Sequence, residues 1–207
     1  MLKKIAIRLT AVLLLAGAGW LVISSRPIKH PPGVLVAAAP MQQAMPAKAI
    51  GQVEGWNLIA LAKYHLRGRV LGTKRYHNGP QSVLVPMDVA VGWNRMSDQA
   101  VLDQFSITMG NRFFFYEWES APAIPPDEIK CSAANNHVIA ANDKVASVIR
   151  GLRVGQIVTL EGYLVNATNP EGRWWNSSLT RDDSGNGACE LIFVKEANAV
   201  NSAAEDK

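Results

Sequence analysis

The sequence predicts a mainly β domain with one or two helices, set behind an apolar N-terminal segment. Three observations lead to this class: segments of period-two alternation outnumber segments of helical period, one stretch alone carries a full helix signature, and a strongly apolar run without charge lies within the first 25 residues. Composition excludes several alternatives. With 48% of its 207 residues apolar, 18% charged and two cysteines, the chain is not disordered, collagenous, coiled-coil or a disulfide-dense miniprotein.

The chain opens with a basic head over residues 1–8, holding Lys3, Lys4 and Arg8, followed by residues 9–23 without charge. Counted from Ile5 the apolar stretch is long enough to span a bilayer if Arg8 snorkels, and Trp20 suits an interface. A cleaved signal peptide is the other reading. Ala16-Gly17-Ala18 falls inside the apolar run and Ala37-Ala38-Ala39 precedes Pro40, so neither offers a good cleavage site, and an uncleaved transmembrane anchor is favoured. The positive-inside bias puts the head in the cytoplasm and the rest in the periplasm of a bacterium, with the inner membrane as the first partner.

Residues 24–50 contain five prolines, six alanines and no acidic residue, which predicts an extended tether. Residues 51–197 are the expected domain, and 198–207 a flexible tail. The formal charge of +4 divides along the same boundary. Residues 1–50 hold six basic side chains and no acidic one, leaving 15 basic and 17 acidic residues in 51–207. The domain is therefore near neutral, which argues against nucleic acid as its partner.

Within the domain, Tyr64–Leu71 alternates Leu66, Gly68 and Val70 against His65, Arg67 and Arg69. Ser82–Val91 places Val83, Val85, Met87, Val89 and Val91 on one face, and Ile107–Trp118 is rich in aromatics. Gln156–Val165 and Ala188–Lys195 complete five expected strands. A helix is expected from Asn142, a capping residue, through the stripe Val145, Val148, Ile149 and Leu152, with Arg150 and Arg153 near its negative end. A weaker helical stretch covers Ser97–Phe105.

The order strand, strand, strand, helix, strand, strand resembles an OB-fold, a five-stranded Greek-key barrel with its helix between the third and fourth strands. The run from Leu152 to Tyr163 looks like the helix exit and fourth strand of such barrels, with Gly162 where a strand bends sharply. The resemblance implies no catalytic residues, because the fold has no universal active site. The segment from Ser178 to Glu190 also resembles one in uncharacterised single-span bacterial envelope proteins, which implies no function.

The chief candidate binding site is Lys63, Arg67, Arg69, Lys74, Arg75 and Tyr76. No acidic residue occurs between Glu54 and Asp88, so a continuous basic patch is expected on this strand and turn, suited to an envelope protein, a glycan, a lipid or another anionic polymer. Trp174 and Trp175 form a second candidate contact, with one of the pair in the core. An alternative site is Arg181, Asp182, Asp183 and Glu190, carboxylates and an arginine of the kind phosphodiester hydrolysis needs. Staphylococcal-nuclease-like enzymes spread such residues over early strands, so nothing carries over residue by residue. Residues 182–187 match only the first half of a calcium loop, with Phe193 where its final carboxylate belongs. No cofactor motif or metal-ligand spacing is present, and His137, six residues after Cys131, reads as a loop histidine. An oxidising compartment makes Cys131 and Cys189 a candidate disulfide. The expected function is non-catalytic: a membrane-anchored periplasmic binding or assembly module, with a hydrolase and a structural subunit of an envelope complex as alternatives.

Overall fold

The computed structural model describes residues 26–180 and 187–202. The expected head and anchor lie outside these residues, as do Arg181, Asp182 and Asp183. No helix among the described residues is long and apolar enough to cross a membrane.

Met41–Val53 forms β1 and Trp56–Arg75 forms β2, joined antiparallel through Glu54-Gly55, both with positive φ (49° and 78°). Positive φ at both turn positions gives the twist that a two-residue hairpin needs. This strand corrects the expected tether. β1 is hidden from sequence reading because most of its side chains are exposed and Pro46 interrupts it. The proline sits in a register break between Ala44 and Lys48, where an edge strand tolerates a missing N–H. Residues 26–40 are fastened as well. The Ile28 N–H donates to the Val154 carbonyl at 2.8 Å, the Asn94 N–H donates to the Val36 carbonyl at 2.7 Å, and Val36 is buried in the main core.

Met87–Gly92 (β3), Ala133–Ala140 (β6), Ile157–Thr168 (β7) and Glu190–Val200 (β9) join β2 in a closed circuit of pairings, β2-β3-β6-β9-β7-β2. All pairings in the circuit are antiparallel except β6 with β9, which run parallel. β9 also corrects the expected tail, since the strand continues to Val200. The expected third strand was misplaced. Ser106–Gly110 (β4) and Phe113–Glu117 (β5) form a separate hairpin, and β6 takes the third place in the circuit. Asn135, Asn136 and His137 in mid-strand hide β6 from an apolar pattern. The expected strand Ser82–Val91 starts only at Met87, because Pro80–Leu84 forms a short helix, α1, with proline in its first turn.

The weaker helical stretch becomes a 3-10 turn, Asn94–Ser97, and a short helix Gln99–Leu102 (α2), capped by Asp98. Pro126–Ser132 forms α3. The expected main helix is Asp143–Gly151 (α4), and the Asn142 side chain accepts the Val145 N–H at 3.0 Å. Its Val145 and Ile149, with Leu152, join Leu66, Val70, Val89, Val138, Leu160 and Ile192 inside the circuit. A second apolar cluster lies under β1, and a third packs the β4–β5 hairpin against β3 and α3.

Candidate functional site

The basic strand does not make a continuous patch. Alternation sets Arg67 and Arg69 on one face of β2, but the 94–99 segment covers that face at Arg69, which is 3% exposed. Its guanidinium donates to the Ser97 carbonyl at 3.1 Å and to Gln99 Oε1. Burial pushes the Arg69 guanidinium down from its ordinary value, and the charges of Asp103 and Asp98 oppose that shift. Arg67 is half-buried. Arg75 donates to the Arg150 carbonyl at the C-terminal end of α4. Lys74 is exposed, and so is Lys63. Lys63 lines a groove with Lys195, Glu161 and Glu196, so carboxylates offset its charge.

Tyr76, at the end of the expected patch, belongs to a different site. β3 and β6 place Asp88 directly opposite His137, and His137 Nδ1 lies 2.9 Å from Asp88 Oδ1. Both residues are buried, so His137 is a strand residue paired to a carboxylate, which corrects its reading as a loop histidine. The Arg112 Nη1 donates to the same carboxylate oxygen at 2.8 Å. Arg112 comes from the tip of the β4–β5 hairpin, where Asn111 and Arg112 both take positive φ (51° and 68°). Such a conformation costs an arginine about 1 kcal/mol and persists where surrounding contacts hold it.

Those contacts are plentiful. The Arg112 N–H donates to the Tyr76 hydroxyl at 2.9 Å, and its carbonyl accepts from Asn135 Nδ2 at 2.9 Å and from Cys189 Sγ at 3.7 Å. The guanidinium carbon lies 3.7 Å from the centre of the Tyr76 ring and 5.3 Å from that of Trp175, both cation–π distances. Trp175 packs on the His137 ring at 4.6 Å between centroids. Burial raises the Tyr76 phenol above its ordinary value, and the hydrogen bond from the Arg112 N–H works the other way.

Above this cluster lies a cleft of about 530 Å³. One wall is Tyr76 with Asn78, Gly79, Pro80 and Gln81, the other is Gly172, Arg173 and Trp174, and Arg112 lines it too. None of the described lining residues is acidic. The expectation that one of Trp174 and Trp175 lies in the core is met only in part: on the short strand β8 (Trp174–Asn176), Trp175 is half-buried against the second apolar cluster while Trp174 is 69% exposed at the rim.

The cysteines are separate. Cys131 is an exposed thiol on α3, Cys189 faces Asn135 and the Arg112 carbonyl, and the two are not joined in a disulfide, which corrects the expected bridge. Of the alternative acidic site, only Glu190 is described. It starts β9 as a buried residue beside Asn136, not as part of an exposed turn. No group of three metal-ligating side chains occurs among the described residues. No protein-family model, curated protein or solved structure matches the chain.

Sequence reading missed Asp88 and Arg112. Asp88 interrupts the apolar run Val85 to Val91, and Asn111-Arg112 follows a glycine between two strand-like segments. A charge inside an otherwise buried strand is the signal that leads to this site, because it requires a partner.

Proposed function

We propose that the chain is a binding module, held by its N-terminal segment as a single-pass anchor in a bacterial inner membrane, with its domain in the periplasm. The domain is read as an OB-type barrel. Support comes from the circuit β2-β3-β6-β9-β7, from its one parallel pair, β6 with β9, and from α4 lying between the third and fourth strands of the circuit. In OB-type barrels, ligands lie over the second and third strands, between the loop joining strands one and two and the loop joining strands four and five. Here the first of those connections is residues 76–86, and the second is described at residues 169–180 and 187–189.

The observation that carries the reading is the cleft between these loops, with exposed Trp174 on one wall and Tyr76 and Arg112 opposite. It displaces the Lys63 strand as the contact surface, since Arg69 is covered and Glu161 and Glu196 flank Lys63. The test places a photo-crosslinking residue at position 174 or at position 63 of the full-length chain in membranes. A discrete envelope adduct from position 174 and none from position 63 is expected. Adducts from position 63 alone would return the contact to the basic strand.

A further inference from the structure

We propose that the cleft binds an acidic sugar, a uronate unit of a glycan, holding its carboxylate on the free edge of Arg112 and its ring against Trp174. This rests on the binding-module reading and names its ligand.

The geometry of the guanidinium is the first argument. Nη1 is committed to Asp88 at 2.8 Å, while among the described residues Nε and Nη2 donate to no partner. Nε and Nη2 share one edge of the planar group, and two parallel N–H bonds from that edge match a carboxylate. Asp88 and the Tyr76 ring hold the guanidinium, and the two bonds to the Arg112 carbonyl hold the backbone that carries it, so little side-chain freedom is lost when the edge is used.

The rim supplies the rest. Trp174 presents a large aromatic face to solvent, which the apolar face of a pyranose ring can cover. Asn78 and Gln81 on the opposite wall carry amides that both donate and accept, as sugar hydroxyls require. Arg173 adds positive charge, and none of the described lining residues carries a negative one.

A single-stranded nucleic acid fits less well. It needs successive stacking faces along a cationic track. The cleft has one exposed tryptophan, and the basic residues that would extend a track are covered at Arg69 and engaged with α4 at Arg75.

The test is calorimetric titration of the full chain in detergent with three probes: tri-galacturonate, the neutral galactotriose and a short oligothymidylate. Binding of the uronate at least tenfold tighter than the neutral sugar is expected. Trp174→Ala, a change at an exposed side chain, is expected to weaken uronate binding at least tenfold, and Arg112→Lys, which keeps charge but loses the fork, by a similar factor. Equal affinity for the neutral sugar would overturn the role given to Arg112. Tighter binding of the oligothymidylate would replace the sugar with nucleic acid. Binding of none of the three overturns the uronate assignment, and a surviving crosslink from position 174 would then leave the binding module standing.

Discussion

Arg67 and Arg69 stand two residues apart on β2 and share a face by alternation, yet only Arg69 is covered, because the turn Asn94–Ser97 and α2 close over it. Its guanidinium bonds the Ser97 carbonyl and Gln99, and Gln99 Oε1 also accepts the His30 N–H at 3.0 Å. The arginine therefore links β2, α2 and the N-terminal segment. Replacing it with alanine removes a buried charged donor and leaves two acceptors short, a loss expected to cost about 3 kcal/mol. Lys63, exposed in its groove, is expected to tolerate alanine within about 0.5 kcal/mol. Urea denaturation of the two variants checks the contrast, and equal small losses would mean that Arg69 is a surface residue after all. Nothing in the alternation distinguishes the two arginines, since a residue's face is set by its own strand and its cover by a segment some thirty positions away.

At the scale of elements, the tightest contact is where β7 crosses β9. The register breaks between Glu161 and Gly162, and a Cβ on Gly162 would lie 1.9 Å from the Phe193 carbonyl oxygen. No side chain fits against backbone at that distance. Gly162→Ala is therefore expected to cost about 3 kcal/mol or more, while Gly151→Ala, at the end of α4 where a Cβ meets nothing, is expected to stabilise by roughly 0.5–1 kcal/mol. Thermal denaturation of both reads the sign directly, and a mild effect at Gly162 would mean that the two strands can separate there. The capped helix α4 was legible because it depends on residues close in sequence. β1 and β6 were not. β1 buries almost nothing of its own, and β6 spends three central positions on Asn135, Asn136 and His137, of which Asn135 and His137 serve the Arg112 cluster. The candidate site was legible only at its edges, through Tyr76 and the tryptophan pair, because Asp88, Arg112 and His137 come together from three separate elements.

For the molecule as a whole, the segment before β1 decides whether the domain begins at β1 or is fastened further upstream. The Pro/Ala composition of residues 24–50 suits a tether, but composition describes the backbone's freedom and not its contacts. From Ile28 onward the chain is bound to the domain. The Ile28 N–H reaches the Val154 carbonyl, His30 Nε2 lies 2.7 Å from the Gly155 carbonyl, the Gly33 N–H reaches Asp98 at 2.8 Å, and the Leu35 and Val36 N–H groups both donate to Ser97 Oγ at 3.1 Å. Gly155 shows how close the approach is: it takes φ 93°, and a Cβ there would sit 2.0 Å from the Ile28 carbonyl oxygen. Val36 then enters the same apolar cluster as α4 and the five strands of the circuit. Proline helps here, since its fixed φ lowers the entropy lost when such a segment is laid down. A chain beginning at Met41 keeps every strand but loses Val36 from the core and these hydrogen bonds, and is expected to be about 3 kcal/mol less stable than one beginning at Arg26. The denaturation midpoint of the two chains measures it, and amide exchange locates it: the Ser97 and Gly155 regions should lose protection in the shorter chain while β7 and β9 keep theirs. Equal stability would restore the free tether expected from composition.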